Sequence, residues 1–208
     1  MSELAPLPAD AVPIVPMRTV AVFPGTVMPI TLGREPSIAA AQEAVRAGHK
    51  IGLLAQRHSS RERPTATDLY AIGVLASVVR LVTSPDGART LVCQGESRFR
   101  VVEMLRESPV FAARIVQLSD SSAAGPEIEA RFTLLKSRAA EALALLPQAP
   151  PPELGQMLTS IDSASHLADL IVSFIDVKSE QKQEILETLD LKARLDKVLQ
   201  LLSHASRC

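Results

Sequence analysis

Apolar residues in the first part of the chain form short, β-branched runs bounded by proline and glycine, a pattern typical of strands joined by turns. The runs that we predict as strands cover residues 12–17, 20–23, 27–32, 51–55, 72–82, 91–93, 99–105 and 111–118. Ser84-Pro85-Asp86-Gly87 predicts a hairpin turn, because proline sets the first φ of a turn and glycine accepts a positive φ. Helical spacing interrupts the strands only at residues 36–47, which Gly48 ends.

Beyond Gly125 the apolar spacing changes to the three- and four-residue intervals of helices. Pro126 suits a first helical turn, and the residues that suit N-caps of later helices are Asp162 or Ser163, Ser179 and Asp190. One face of the last helix carries an apolar stripe made of Leu191, Leu195, Val198, Leu199 and Leu202. Antiparallel strands followed by helices predict an α+β fold in two parts, residues 1–119 and 120–208, linked by the small polar stretch 119–125.

Composition narrows the classes of function. The chain has 208 residues, a formal charge of -1 and 3% aromatic residues, which disfavours nucleic-acid binding because that function normally needs a basic excess and stacking side chains. No apolar run approaches the roughly 20 residues of a membrane span. Two cysteines, Cys93 and Cys208, form no disulfide framework, and the N-terminus lacks an export signal, so we expect a cytoplasmic protein.

Motifs of common catalysts are missing from the sequence. The sequence shows no GxxxxGK[ST] loop for nucleotide phosphates, no GxSxG elbow and no HExxH or CxxC spacing for a metal ion, and we also expect no Ser-x-x-Lys pair of the kind used by Ser/Lys proteases. Cys93 lies in an apolar run and is interpreted as a small buried side chain. The basic residues Arg57, Arg61 and Arg63 are interpreted as a solvated loop. We therefore expect no catalytic residue, no metal site and no cofactor in this chain.

Three groups of residues resemble one family. The first is Val15-Pro16-Met17-Arg18-Thr19-Val20-Ala21-Val22-Phe23-Pro24-Gly25 followed by Met28-Pro29-Ile30 and Gly33-Arg34-Glu35. The second is Gly73-Val74-Leu75-Ala76-Ser77-Val78 with Pro85-Asp86-Gly87, and the third is Lys182-Gln183-Glu184-Ile185-Leu186-Glu187 with Arg194-Leu195. In this order and spacing they are similar to the N-terminal domain of Lon proteases, over about residues 12–202.

The resemblance implies a β-rich, PUA-like pseudo-barrel with one helix, followed by a helical bundle. It also implies a non-catalytic module that recognises unfolded or tagged proteins for attached ATPase and protease modules and contributes to a hexamer. Candidate polypeptide-binding residues at strand ends and in proline-rich turns are Phe23, Val27, Met28 and Ile30, with Arg34 and Glu35 as a polar rim. Ordinary barrel core together with a helix-entry cap is the competing interpretation of these six residues.

Two other functions stay open at this point. The stripe from Leu191 to Leu202 is a candidate assembly surface, although the same spacing suits packing within one chain. A stand-alone LON-domain protein that acts in oligomerisation or binds a peptide or small ligand is the alternative to a module of a longer protease. The sequence offers no convergent polar set for a small-molecule pocket.

Overall fold

A computed structural model describes residues 5–120, 124–144 and 151–205. The chain divides into two compact units, one ending at Leu118 and the other beginning at Ser119. The described residues of the first unit contain a six-stranded mixed sheet, one α-helix and one short 3-10 helix (Ala66–Asp68), and those of the second contain five α-helices. Residues 121–123 of the expected linker lie outside the described part of the chain.

The sheet of the first unit folds back on itself. Its strand order is β2-β5-β4-β3-β1-β6, and β6 pairs with β5 as well as with β1, so that five of the strands form a closed ring and β2 stands at the edge. The elements are β1 (Ala11–Met17), β2 (Val27–Leu32), α1 (Glu35–Ala47), β3 (Ile51–Ala55), β4 (Ile72–Thr83), β5 (Arg89–Arg106) and β6 (Ala112–Leu118). The predicted runs 27–32 and 51–55 are confirmed to the residue as β2 and β3.

The expectation of a purely antiparallel sheet is wrong at one pair of strands. β1 runs parallel to β3, with Ile14 opposite Gly52 and Met17 opposite Ala55. A parallel pair needs a long crossover connection, and here β2 and α1 together supply it. The predicted hairpin between β4 and β5 is confirmed, since Gly87 donates its N–H to the Ser84 carbonyl over 2.9 Å and has a φ of 86°.

Residues 20–23, predicted as a strand, form none. Their last residue belongs to a tight turn, in which the Thr26 hydroxyl donates to the Phe23 carbonyl over 2.7 Å. The Phe23 N–H in turn donates to the Thr26 hydroxyl oxygen over 3.2 Å. This local side-chain bonding competes with strand pairing, which is why an apolar run alone did not predict the structure. The runs 91–93 and 99–105 are parts of the single long strand β5.

Apolar side chains inside the ring form the core of the first unit. Buried members of the cluster are Ile14, Leu54, Leu69, Leu75, Phe99, Phe111 and Ala113. One charged pair is enclosed beside this core: Arg106 Nη2 lies 2.7 Å from Glu43 Oε2 of α1, and both side chains are largely buried. Arg106 also donates to the Val110 carbonyl, so the charge is fixed by two partners.

The second unit contains α2 (Pro126–Ala144), α3 (Pro152–Ser160), α4 (Ala164–Phe174), α5 (Ser179–Glu187) and α6 (Leu191–Ala205), and α6 packs against α2 and α4. Ser163 caps α4 and Asp190 caps α6, as predicted, by accepting hydrogen bonds from His166 N and Ala193 N. Ser179 is the first residue of α5 instead of its cap. Helix α3 was not predicted, because proline is usual after the end of a helix as well as in its first turn, and Pro152 occupies the first turn.

A fully buried arginine organises the second unit. Arg194 of α6 donates to Asp120 Oδ1 over 2.5 Å, to Ser165 Oγ over 2.7 Å and to the Thr188 carbonyl over 2.8 Å. Ser165 also donates to Asp120, and Asp169 lies 4.0 Å from the guanidinium. Three segments are therefore joined by one side chain.

Among the described residues, none of the helices combines the length and the apolar content needed to span a membrane.

Candidate functional site

A groove in the first unit runs beside the exposed edge of β2. Its first part, which we call the β2 slot, has a volume of about 450 Å³ and lies between β2 and the end of β1. The residues that line the slot are Val15, Pro16, Met17, Arg18, Thr19, Ala21, Pro29, Ile30, Thr31, Leu32, Gly33, Arg34 and Ser37. Volumes of this size are typical of ligand-binding clefts in proteins.

The second part, which we call the proline cleft, continues past Arg34 and has a volume of about 710 Å³. Its lining residues are Pro16, Arg18, Gly33, Arg34, Glu35, Pro36, Ser37, Glu62, Arg63, Pro64, Thr65, Glu107, Ser108, Pro109 and Phe111. Five residues line both parts, so the slot and the cleft form one elongated surface, the Arg34 groove. Proline rings and Phe111 make much of it apolar.

Arg34 stands where the two parts of the groove meet. It precedes α1, and its guanidinium donates to two backbone carbonyls, Nη2 to Pro16 over 3.1 Å and Nη1 to Glu62 over 3.1 Å. Burial, and after it the nearby charge of Arg18, lowers the pKa of Arg34, while Glu62 acts in the opposite direction. An arginine stays protonated under these influences, so the groove holds a fixed cation at its midpoint.

Charge differs between the two parts of the groove. The β2 slot is lined by two arginines, Arg18 and Arg34, and by no acidic residue among those described. The proline cleft adds Arg63 together with three carboxylates, those of Glu35, Glu62 and Glu107. Glu107 is engaged by the Ala66 N–H over 3.2 Å. The slot is therefore the cationic end of the groove.

The structure separates the six residues predicted to bind polypeptide. Ile30, Arg34 and Glu35 line the Arg34 groove. Phe23 has 0% of its surface exposed, so its place in an accessible groove is corrected: its side chain belongs to the packed interior. Val27 is 55% exposed but does not line the groove, and Met28 is half-buried outside it.

The predicted assembly stripe is used within the second unit. Leu191, Leu195, Val198 and Leu202 of α6 are buried, and Leu199 is half-buried. The face that carries them packs against neighbouring helices, so it offers no apolar stripe to a second copy in this structure. Of the two interpretations left open by the spacing, packing within the chain is the one that the geometry supports.

Several groove residues were not predicted as candidates, namely Pro16, Arg18, Pro36, Glu62, Pro64, Pro109 and Phe111. They come from separate segments that only the folded sheet brings together. Of the arginines interpreted as a solvated loop, only Arg63 lines the groove. Arg61 pairs with Asp68 over 3.1 Å and Arg57 stacks on the ring of Tyr70, so both have structural partners.

Other chemistry is sparse in the described part of the chain. No cluster of three potential metal-ligating side chains occurs there. Burial raises the pKa of the Cys93 thiol to about 11, which makes it a poor nucleophile near neutral pH. The expectation that the chain has no Ser-x-x-Lys spacing is wrong, because Ser179 and Lys182 have it at the start of α5, where burial lowers the pKa of that lysine. This pair belongs to the second unit and takes no part in the groove.

Comparison with known proteins decides the family. Residues 11–204 match the family described as the ATP-dependent protease La (LON) substrate-binding domain. The chain belongs to the LON substrate-binding domain family. The Lon protease of Methylocella silvestris is 47% identical over 195 residues, which are 94% of this chain and 24% of that protein. The Lon protease of Phenylobacterium zucineum is 45% identical over 198 residues, 95% of this chain and 25% of that protein.

A solved structure agrees with the LON assignment. The N-terminal domain of the Mycobacterium avium complex Lon protease superposes with a TM-score of 0.74 at 23% identity, covering 93% of this chain and 98% of that chain. The shared fold therefore extends over nearly all of both chains. This LON-domain chain spans about a quarter of the length of the curated Lon proteases that it matches.

Proposed function

We propose that this chain is a non-catalytic substrate-recognition module that holds unfolded or tagged polypeptides in the Arg34 groove. The observation that supports the proposal is an elongated, proline-lined groove in the first unit of a chain whose family is described as substrate-binding. Burial of apolar surface stabilises a complex by about 25 cal/mol per Å². An unfolded segment can offer that surface, whereas a native protein keeps it inside.

The mixed lining of the groove favours a chain of varied sequence over one small molecule. Proline rings supply rigid apolar contacts at little entropic cost, because they lose no side-chain freedom on binding. Side chains of both charges lie in the proline cleft, where they can pair with basic or acidic side chains of a bound polypeptide. Weak binding at each module is sufficient if several modules act together, since linked sites gain affinity through effective concentration.

The context of the module is also part of the proposal. We propose that it works within an ATP-dependent Lon-type protease, delivering captured segments to ATPase and protease modules in an oligomer. The support is the match to Lon proteases about four times as long. The closed ring of strands supports a PUA-like pseudo-barrel, and the packing of α6 on α2 and α4 supports a helical bundle.

Fluorescence anisotropy with a reduced, carboxymethylated and therefore permanently unfolded protein tests the proposal. We expect the chain to bind this probe and to ignore the native, disulfide-bonded form of the same protein. Pro36→Glu places a carboxylate in the groove at a helix start that tolerates acidic residues, and should weaken binding at least fivefold. Val45→Glu, on the same helix but outside the groove, is the matched control.

Equal affinity for the unfolded and native forms, or no binding to either, would remove the recognition role from this chain. Equal loss in the two glutamate variants would place the binding surface outside the Arg34 groove.

A further inference from the structure

The free edge of β2 is a second recognition feature of the slot, distinct from its side chains. β2 pairs with β5 on one side, and no strand in the described part of the chain pairs with its other side. The Thr26 carbonyl accepts a hydrogen bond from Gly95 of β5 over 2.8 Å. Because successive residues of a strand direct their backbone groups to opposite sides, those of Val27, Pro29 and Thr31 are directed to the free edge.

The position of Pro29 agrees with this assignment. A proline has no N–H, and in sheets it is confined to places where that donor would face away from the ladder. The free edge of β2 therefore offers three carbonyl acceptors but only two N–H donors, those of Val27 and Thr31. Residues 29–32 of the same strand line the β2 slot, so the edge borders the cavity.

We propose that the slot binds an extended polypeptide segment as an additional strand on β2, through backbone pairing at Thr31 and at the Pro29 carbonyl. This inference rests on the proposed function and specifies the conformation of the substrate. Backbone pairing supplies affinity without regard to sequence, and alternate side chains supply selectivity. An unfolded segment is the partner that can present a free, extended backbone.

Pro29 disfavours the competing occupant, a second copy of the same strand. An antiparallel pair of two β2 strands centred on Pro29 would lack both central donors, and proline on an edge is a known protection against such pairing. A heterologous segment loses only one donor at this position. The asymmetry favours a foreign chain over self-association.

The lining of the slot also specifies the chemistry of the bound segment. Ile30 and Leu32 face the buried side of the sheet, while Pro29 and Thr31 are exposed, so an added strand must alternate between apolar and polar side chains. Beyond the end of β2 the slot holds Arg18 and Arg34 with no acidic side chain among the described lining residues. A segment that ends its alternating part with an acidic residue there is the best match.

Binding of the unfolded probe protein by the wild-type chain is measured first, because its absence would defeat the proposed function and this inference together. Thr31→Pro then removes the outward N–H, and Thr31→Val retains it while removing the hydroxyl. We expect Thr31→Pro to weaken binding about tenfold and Thr31→Val to change it less than twofold. Thermal unfolding of both variants verifies that the sheet is intact.

Backbone methylation of the ligand gives a readout that does not depend on the folding of a variant. Two peptides have the same sequence of alternating valine and serine with one terminal aspartate. One is N-methylated at every odd residue and the other at every even residue, so that each loses the N–H groups along one edge of the extended peptide. Pairing through one edge predicts that one register abolishes binding and the other is tolerated. If both methylated peptides bind equally well or equally poorly while the unfolded probe protein still binds, strand addition is overturned and the proposed function stands.

The acidic position is tested with the unmethylated peptide and its Asp→Asn version. Arg18→Gln should weaken binding of the aspartate peptide about fivefold and leave the asparagine peptide nearly unchanged, while Arg46→Gln, at the far end of α1, should affect neither. An equal response of the two peptides would contradict the charge assignment. Sedimentation that shows a dimer which Thr31→Pro disperses would assign the edge to a second copy and overturn the proposal.

Discussion

Arg34 Nη2 donates a hydrogen bond to the backbone carbonyl of Pro16 over 3.1 Å, and this contact joins the start of α1 to the end of β1 across the groove. Pro16 has no N–H of its own, so its carbonyl is the backbone group that it can offer. The arginine thereby fixes the width of the groove at its midpoint. A second hydrogen bond, from Arg34 Nη1 to the Glu62 carbonyl, holds the loop that contains Glu62 in the same way.

Loss of this bridge should lower stability measurably. We predict that Arg34→Ala reduces the free energy of unfolding of the first unit by about 1–2 kcal/mol, because two charge-assisted hydrogen bonds are removed from a half-buried site. Arg34→Lys should reduce the free energy of unfolding by less than Arg34→Ala does, since one ammonium group cannot reach both carbonyls as a guanidinium can. Urea unfolding measures the change. Arg46→Ala on the same helix is the control, and an equal loss there would contradict the prediction.

The buried Arg194 should be far more critical than exposed cations of the same helix. Arg194→Met removes the cation that lies 2.5 Å from Asp120 Oδ1 and 4.0 Å from Asp169 Oδ1, a carboxylate that is 2% exposed, and we predict a loss of about 3–5 kcal/mol. Lys192→Met removes an exposed pair with Glu127 and should cost less than about 1 kcal/mol. Helical circular dichroism during urea unfolding follows both variants. A loss for Arg194→Met as small as that for Lys192→Met would contradict the prediction.

The Cys93 thiol should be protected in the folded chain. Burial raises its pKa to about 11, so little thiolate exists at pH 8, and a thiol reagent should modify native Cys93 at least a hundredfold more slowly than the unfolded chain. Because the folded pKa lies above the ordinary value of 9.0, the contribution of this group to stability is complete below pH 9 and falls as the pH rises towards 11.

A Cys208→Ser background isolates the signal of Cys93 in that experiment. Equal labelling rates of the native and the unfolded chain would contradict the predicted protection. The same chain with Cys93→Ala should lose the part of the stability change between pH 9 and 11 that the thiol contributes, and any change that persists belongs to other groups that titrate in that range.

Gly95 should not tolerate a side chain. A Cβ at this position would lie 2.2 Å from the Phe23 carbonyl oxygen, which is backbone and cannot move aside. We predict that Gly95→Ala lowers the free energy of unfolding by about 2–3 kcal/mol through the displacement of one strand or turn. Gly33→Ala is the matched control, because a Cβ there meets nothing within 4 Å. Similar denaturation midpoints of the two variants would contradict the clash.

Much of the first unit could be predicted from its sequence. The β-branched runs that became β2 and β3 are bounded by glycine, proline or polar residues, so local chemistry alone defines their ends. The prediction of a strand at residues 20–23 was wrong because the Thr26 hydroxyl forms hydrogen bonds with the backbone of Phe23. The spacing of apolar residues carries no information about such a bond. The parallel pairing of β1 and β3 was not predicted, because long-range pairing depends on the crossover between the two strands.

The groove could be predicted only in part. Arg34 was a candidate for a polar rim at the entry to the predicted helix, but its partners are the carbonyl groups of Pro16 and Glu62, which have no sequence signal. Pro109 and Phe111 reach the cleft from a segment more than 70 residues away from Arg34 in the sequence. Phe23 was misplaced because one apolar residue in a turn suits both a core and a surface, and only packing distinguishes them.

The hairpin turn between β4 and β5 has a practical use. Pro85, Asp86 and Gly87 are exposed, do not line the Arg34 groove, and are closed beneath by the Ser84 N–H bond to the Ala88 carbonyl. Loop tips of this kind accept insertions with little effect on the fold. A fluorophore or affinity tag placed there would report capture of a polypeptide while leaving both chain termini untouched.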